Sequence, residues 1–170
     1  MGRALPGTGK HGNVALFVPH AGCPHRCSFC DQRAIAGTGD RMTPDKVEAA
    51  CLQAGSRIPL PGRQAELAFF GGSFTALPKK EMCALLDAAL PFVRRGVFRG
   101  IRLSTRPDCV DEGILAALAG RSVTAVELGA QSMDDAVLVQ NGRGHTAADV
   151  ERAAGLIRAR GLSLGLQMMT

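Results

Sequence analysis

Short apolar runs alternate with longer segments of helical period along the chain. The runs predict five strands, at residues 13–18, 65–70, 101–104, 123–128 and 162–168. Three of the intervening segments carry apolar stripes at helical spacing: Val47, Cys51, Ala54 and Ile58; then Met82, Leu85, Leu86, Ala89 and Val93; then Val110, Ile114, Leu115 and Leu118. This alternation predicts an α/β fold in which repeated βα units surround a parallel sheet.

Polar residues at the ends of these stripes predict where helices begin. Thr43 is a good N-cap, and Pro44 suits the first turn that follows it. Two later segments show the spacing of a capping box, Ser132 with Asp135 and Thr146 with Asp149. The first of these two helices is expected to stop near Asn141-Gly142.

Short groups of polar, cysteine and glycine residues also follow the predicted strands. The groups in chain order are a cysteine loop after the first strand, Gly71-Gly72-Ser73 after the second, Ser104-Thr105-Arg106 after the third, and Glu127 and Gln131 around the end of the fourth. In a closed or partly closed βα barrel, active groups gather at the carboxyl ends of the strands. We therefore expect all of these residues on one rim of the sheet.

The cysteine loop is the strongest chemical feature of the chain. Cys23, Cys27 and Cys30 lie within eight residues, and three thiolates can bind a four-iron cluster while one iron stays open for a ligand. The remaining cysteines, Cys51, Cys83 and Cys109, are isolated along the chain. Cys51 and Cys83 fall in predicted helices.

Other uses of the loop stay open at this point. The three cysteines with His20 or His25 would also make a tetrahedral zinc site, although zinc sites usually combine two separated pairs and no second pair is present. Disulfides are less favoured, because nothing resembles a secretory signal and a chain of this size can bury a core without them.

Composition describes an ordinary globular domain. The chain has 170 residues, 46% hydrophobic and 21% charged, so disorder is not expected. We expect residues 1–12 to form a flexible tail and residues 13–170 to form the core domain. No apolar run approaches the length of a membrane span, and the expected compartment is the cytoplasm, where the six cysteines would be reduced.

The formal charge of +5 suits an anionic substrate or a nucleic acid without requiring one. The basic residues are scattered apart from a small group at residues 94–99, and Trp and Tyr are absent, which weakens the case for a base-stacking surface. A zinc-stabilised RNA-binding module is nevertheless the alternative function. A Rossmann-like nucleotide binder would need G-x-G-x-x-G where the cysteines stand.

The cysteine spacing resembles the radical S-adenosylmethionine (SAM) superfamily, whose motif is C-x3-C-x2-C with an aromatic residue before the last cysteine. Cys23, Cys27, Phe29 and Cys30 match it in full. The resemblance implies a partial (β/α) barrel, a [4Fe–4S] cluster on the three cysteines, and SAM on the open iron. It further implies reductive cleavage to a 5′-deoxyadenosyl radical, hydrogen abstraction from an unidentified substrate, and an external one-electron donor of the flavodoxin or ferredoxin type.

Later motifs resemble two branches of that superfamily, the oxygen-independent coproporphyrinogen oxidases and the Elongator catalytic subunit. The motifs that carry this resemblance are Glu127-Leu128-Gly129-Ala130-Gln131-Ser132 and Asn141-Gly142-Arg143-Gly144-His145-Thr146. The stretch Phe69-Phe70-Gly71-Gly72-Ser73-Phe74 is similar to the glycine-rich element of the superfamily as a whole, which implies that the backbone of Gly71, Gly72 and Ser73 contacts the SAM amino group. By the resemblance to the two branches, Gln131 would contact the ribose and Arg143 the SAM carboxylate, for which a planar guanidinium is well suited.

Two positions depart from the pattern of those branches. Ser104 stands where the Elongator-type Glu-Thr-Arg-Pro-Asp stretch begins with an acid, and Gln167 stands where coproporphyrinogen oxidases place a ribose-binding Asp. Both residues are carried as SAM-site candidates. The Elongator likeness also makes tRNA a candidate substrate.

The sequence stops shortly after its fifth strand. Parallel strands need a crossover into the next unit, so we expect an incomplete barrel and a chain that is truncated at its carboxyl end.

Overall fold

A computed structural model describes residues 12–18, 23, 27–30, 41–57 and 65–169. Its centre is a parallel sheet of five strands in the order β1-β2-β3-β4-β5. The strands are β1 (Asn13–Val18), β2 (Glu66–Gly71), β3 (Ile101–Thr105), β4 (Val123–Gln131) and β5 (Ser163–Met168). Each strand pairs with the next one in the chain, which is the winding of a βα barrel, and β1 and β5 are the two edges.

Five described α-helices follow or separate the strands: α1 (Pro44–Arg57), α2 (Lys79–Arg94), α3 (Glu112–Leu118), α4 (Asp135–Gln140) and α5 (Ala147–Ala159). Two single turns of 3₁₀ helix, Phe74–Ala76 and Pro107–Cys109, come directly after β2 and β3. These turns lie at the carboxyl ends of the strands, where the polar motifs of the sequence are concentrated.

The main core lies between one face of the sheet and the helices. Phe69, Leu103 and Leu128 supply it from three successive strands, and Leu86 of α2 and Ile157 of α5 are fully buried with them. Removing such side chains from water is the dominant stabilising contribution in a domain of this kind.

The other face of the sheet is polar at its centre. In β3, Ile101, Leu103 and Thr105 are buried while the alternating Arg102 and Ser104 are only half-buried. Arg102 and Ser104 contact glutamates of the neighbouring strands on this second face. We call it the inner face, because it corresponds to the inside of a barrel.

The predicted fold class is confirmed. The fold is α/β, and its parallel sheet is unclosed among the described residues. The bounds of β1 agree with the prediction, whereas β4 runs three residues further and ends at Gln131. Gln131 closes the strand in a left-handed conformation, with φ +66°.

The capping predictions have mixed outcomes. Thr146 and Asp149 form the expected reciprocal capping box. The Ser132 prediction is wrong, because Asp134 is the N-cap of α4 and accepts the N–H groups of Ala136 and Val137. Ser132 instead accepts the N–H of Asp134 within the turn that leaves β4, so the helix starts two residues later.

The start of α3 differs from the prediction, and most of the predicted tail cannot be compared with the structure. Val110 is buried but extended, and α3 begins after the N-cap Asp111, which accepts the Ile114 N–H at 2.7 Å. The predicted tail lies outside the described residues apart from Gly12, whose carbonyl accepts the Glu66 N–H. None of the helices in the described ranges is long and apolar enough to cross a membrane.

Candidate functional site

Glycine closes the end of β2 against the end of β1. Gly71 has φ +121°, and a Cβ added there would collide with the carbonyl oxygen of Val18. The Gly72 N–H donates to the same carbonyl at 3.2 Å. A side chain at position 71 would therefore separate the two strand ends from which the cysteine loop and Ser73 emerge.

Cys23 is half-buried and lies against residues that follow β2 and β3. Burial raises the pKa of its thiol, while the Arg106 charge and a hydrogen bond from the Ser73 backbone N–H act in the opposite direction. Cys27 and Cys30 also act on Cys23 electrostatically. Two cysteines of the motif, a cation and an N–H donor therefore all lie in the surroundings of the Cys23 thiol.

The segment from Cys27 to Cys30 is a tight turn that is hydrogen-bonded to the loop after α4. The Cys30 N–H donates to the Cys27 carbonyl at 3.1 Å. Ser28 binds Asn141 twice, through its backbone N–H to the Asn141 carbonyl at 3.1 Å and through its hydroxyl to the Asn141 side-chain oxygen at 2.6 Å. Asn141 therefore holds the Cys27–Cys30 turn against the loop that contains Arg143.

Arg143 is buried and reaches the cysteine turn directly. Its Nη1 donates to the Cys27 Sγ at 3.3 Å, its Nη2 donates to the Gly129 carbonyl, and its guanidinium carbon lies 5.9 Å from the centre of the Phe29 ring. Its Nε is buried and has no acceptor among the described residues. A buried donor is costly to leave unpaired, so this nitrogen is suited to bind an acceptor.

Gly129 makes room for this arrangement in β4. A Cβ added at Gly129 would lie 3.2 Å from the Arg143 Nη2 and 3.1 Å from the Gln131 Nε2. The structure thus brings Arg143 together with Gln131 and the Cys27 turn, of which the cysteine loop and Gln131 were predicted to lie on one rim.

A second buried arginine, Arg106, lies beneath the first. It pairs with Asp108 through Nε at 2.9 Å and Nη2 at 3.2 Å, and Nη2 also donates to the Arg143 carbonyl. His145 is buried beside this pair with its Nδ1 4.0 Å from Asp108 and its Nε2 against the Ala130 carbonyl. Burial and the charge of Arg143 lower the pKa of His145, so the imidazole is neutral at pH 7.

The side chain of Ser73 has a structural task. Its hydroxyl lies 2.9 Å from the Thr105 hydroxyl and accepts the Arg106 N–H at 3.2 Å, and Thr105 in turn contacts Thr75 at 2.6 Å. Cys109 also interacts with Ser73 and Arg106. The Ser73 hydroxyl therefore joins the ends of β2 and β3, while its backbone N–H lies against Cys23.

Ser104 and Gln167 lie apart from this group of residues. The Ser104 hydroxyl donates to the Glu127 carboxylate at 3.3 Å on the inner face, one residue before the strand end. Gln167 is exposed on the edge strand β5, and the structure shows no contact that joins it to the cysteine turn.

The described residues contain no group of three His, Cys, Asp or Glu side chains that would hold a single metal ion. A four-iron cluster does not require such a group, because each thiolate binds a different iron. The donors around the cysteines do fit an anionic cluster: Arg143 on Cys27, and the Ser73 N–H with Arg106 at Cys23. His20 and His25, which a zinc site would use, lie outside the described residues.

Comparison with known proteins establishes the class. Residues 17–170 match the family model described as the radical SAM superfamily, and the chain belongs to that superfamily. Its members are enzymes that use a [4Fe–4S] cluster and SAM.

Curated relatives cover most of the chain at moderate identity. A mitochondrial radical S-adenosyl methionine domain-containing protein 1 of Mus musculus is 31% identical over 143 residues, which are 82% of this chain and 32% of that protein. The tRNA uridine(34) acetyltransferase of Dehalococcoides mccartyi is 24% identical, over 92% of this chain and 40% of its own length. The heme chaperone HemW of Escherichia coli is also 24% identical, over 92% of this chain and 42% of the length of HemW. This chain therefore spans about a third to two fifths of these relatives.

Solved structures share the fold. An Elp3 of Methanocaldococcus infernus superposes with a TM-score of 0.64 at 22% identity and covers 93% of this chain and 37% of its own. Methylornithine synthase (PylB) superposes with a TM-score of 0.65 at 13% identity, and the match covers 95% of this chain and 45% of the PylB chain. At these identities the likeness establishes the architecture, whereas the roles of individual residues depend on the geometry of this chain.

Sequence reasoning placed Arg106 on the rim without giving it a role, and it did not include Asp108, Asn141 or His145 among the site residues. Arg106 and Asp108 were visible in the Ser-Thr-Arg-Pro-Asp stretch, but their burial and their contact with Arg143 depend on the approach of the loops after β3 and α4. Asn141 had been assigned only to the end of a helix.

Proposed function

We propose that Cys23, Cys27 and Cys30 hold a [4Fe–4S] cluster, and that the domain uses it to cleave SAM reductively and to abstract hydrogen from a substrate. The observation that carries the proposal is the Cys27 turn, held by Asn141 and hydrogen-bonded to the buried Arg143 at the carboxyl ends of the strands. When bound, the cluster supplies one electron to the SAM sulfonium, which yields methionine and a 5′-deoxyadenosyl radical.

The chain's own residues orient the nucleotide. Arg143 keeps its buried Nε for an acceptor, and the SAM carboxylate is a fitting partner for a guanidinium. Gln131, at the end of β4 beside Arg143, is assigned to the ribose. Gly71, Gly72 and Ser73 form the close-packed turn that is assigned to the SAM amino group, and Phe29 covers the Arg143 guanidinium.

Ser104 and Gln167 stay SAM-site predictions with less support. Ser104 is committed to Glu127 in this structure, so an amino group that approached it would meet the Glu127 carboxylate as well. Gln167 would reach a ribose only from the edge strand.

Anaerobic reconstitution tests the proposal. With iron and sulfide the chain is expected to turn brown and to hold about four irons, and with dithionite and SAM it is expected to release 5′-deoxyadenosine and methionine. Tightly bound zinc without colour would contradict the cluster and support the alternative, a zinc-stabilised RNA-binding module.

Single cysteine variants sharpen the test. Cys27→Ala is expected to lose the cluster, measured as iron and sulfide per chain. Cys51→Ala and Cys83→Ala are matched controls, because these cysteines belong to α1 and α2 and pack in or against the core. Cys109→Ala is a weaker control, since Cys109 interacts with Ser73 and Arg106. Full iron loading of Cys27→Ala would contradict the assignment.

Partners are proposed from chemistry and likeness. The single electron requires an external donor of the flavodoxin or ferredoxin class, for which dithionite substitutes in the assay. Relatives named tRNA uridine(34) acetyltransferase, together with the charge of +5, make tRNA the substrate class to test first. A cytoplasmic location stays a prediction.

A further inference from the structure

Arg106 is one of the most deeply buried charged residues in the described ranges, with 4% of its surface exposed. It follows β3 and uses its side chain in two directions. Nε and Nη2 hold Asp108, and Nη2 also donates to the carbonyl oxygen of Arg143. Its backbone N–H donates to the Ser73 hydroxyl at 3.2 Å. Arg106 thus connects the turns that follow β2 and β3 with the loop that follows α4.

Two of those three segments make direct contact with the cysteine loop. Arg143 donates from Nη1 to the Cys27 Sγ at 3.3 Å. The residue bound by the Arg106 N–H, Ser73, directs its own backbone N–H to Cys23. Among the described residues, Arg106 therefore touches both Arg143, which donates to the Cys27 sulfur, and Ser73, whose N–H lies against Cys23.

The charges around this position do not cancel. Asp108 is the carboxylate that contacts Arg106, and it is the single carboxylate recorded in contact with either arginine in the described residues. His145 contributes no charge, as described above. Two buried guanidinium groups and one carboxylate leave a surplus positive charge close to the cysteines, in surroundings where screening by water is weak.

We propose that Arg106 is a positioning residue that sets the reduction potential of the cluster: it fixes Arg143 on Cys27 and keeps a buried positive charge beside the cysteine loop. The inference rests on the proposed function, since it requires the cluster to be bound by these cysteines. Hydrogen bonds to ligand sulfurs and local charge are two established controls of cluster potential.

The direction of the effect follows from electrostatics. Reduction adds one electron, taken from the external donor, and so adds one negative charge at the cluster. Positive charge and N–H donors near the sulfurs stabilise the more negative form. Arg106 and Arg143 therefore raise the potential, which brings the cluster within reach of a biological one-electron donor.

The experiment is a potentiometric titration of the reconstituted full chain, followed by the electron paramagnetic resonance signal of the reduced cluster. Arg106→Gln is expected to shift the midpoint potential to a more negative value, and Arg106→Lys, which keeps the charge, is expected to recover part of the shift. Asp108→Asn removes the neighbouring negative charge and is expected to shift the potential in the opposite direction.

Arg152→Gln is the matched control. Arg152 holds the same turn after β3, donating to the carbonyl oxygens of Val110 at 2.8 Å and Pro107 at 3.4 Å, but it makes no recorded contact with Arg143 or the cysteines. Its loss should loosen the turn and leave the potential unchanged. A purely structural role for Arg106 would make Arg106→Gln and Arg152→Gln behave alike.

The outcomes separate the two proposals. A wild-type chain that binds no iron overturns the proposed function and this inference together. A wild-type chain that binds its cluster and cleaves SAM, with the same potential in Arg106→Gln and in wild type, overturns this inference alone. Should Arg106→Gln fail to fold, Asp108→Asn decides, and a potential that is unmoved or more negative in that variant rejects the role of Arg106.

Discussion

Two arginine clusters of the same sheet differ in how their charges are matched. On the inner face, Arg102 binds Glu66 at 2.8 Å and Glu127 at 2.7 Å, and Arg99 also reaches Glu66 at 3.0 Å. Two arginines thus face two glutamates. At the carboxyl ends of the strands, Arg106 and Arg143 have one carboxylate between them, that of Asp108.

Hydrogen bonding separates the clusters in the same way. The inner-face carboxylates accept further bonds from Thr124 and Ser104. The two buried side-chain nitrogens without a partner in the described structure, Arg143 Nε and His145 Nδ1, both belong to the strand-end cluster. The balanced cluster joins β2, β3 and β4, whereas the unbalanced one has the charge and the unpaired donor that suit an anionic ligand.

The largest expected effect comes from breaking the balanced cluster. Arg102→Met leaves Glu127 without its arginine and Glu66 with Arg99 alone, so the free energy of unfolding should fall by about 2 kcal/mol. Urea denaturation followed by circular dichroism measures it. Arg99→Met is the control, since Arg99 is more exposed and its loss should cost less. Equal stability of Arg102→Met and the wild type would remove the distinction between the clusters.

A smaller loss is expected at the strand ends. Arg143→Met leaves no carboxylate unpaired and removes the hydrogen bonds to Cys27 and Gly129, so the cluster-free chain should lose about 1 kcal/mol. The same variant should bind SAM about tenfold to a hundredfold more weakly after reconstitution, which isothermal titration calorimetry measures. A greater stability loss than in Arg102→Met, with unchanged SAM affinity, would reverse the interpretation of Arg143.

The smallest effect is a pH dependence of the inner-face cluster. Burial raises the pKa of Glu66, but hydrogen bonds and charges from Arg102 and Arg99 outweigh it, so the pKa lies below the ordinary 4.5. A carboxyl with a lowered folded-state pKa contributes stability that is present above its unfolded value and is lost as the pH falls through its folded value.

Urea denaturation across that acid range compares the wild type with Glu66→Gln. The stability advantage of the wild type should be constant above pH 4.5 and should shrink as the pH falls further. Parallel curves for the two proteins at all pH values would show that Glu66 is not held in its charged form by the arginines.

Much of the fold was predictable because it depends on local pattern. The bounds of β1, the capping box at Thr146 and the parallel order follow from apolar runs, side-chain chemistry and the alternation of elements. The start of α4 was not predictable from spacing alone, since Ser132 and Asp134 are both good caps and the path of the chain leaving β4 chose between them.

The site was predictable to a different depth for each residue. The cysteine motif identified the superfamily, and Arg143 and Gln131 are indeed brought to one place. The position of Ser104 could not be predicted, because its hydroxyl pairs with Glu127, a residue of the next strand 23 positions away in the chain. Arg106 and Asp108 were visible as residue types, but nothing local to them indicates that they lie under Arg143.

The sequence by itself determined the spacing of the three cysteines, the strand and helix periods, and the grouping of polar residues after the strands, because each depends on neighbours within a few residues. Only the tertiary structure decided that Arg102 meets two carboxylates, whereas Arg106 pairs with Asp108 alone and Arg143 with no carboxylate of the described residues. Arg102 meets Glu127 and Glu66, 25 and 36 positions away in the chain, only when the strands pack, and burial then determines how strongly these charges interact.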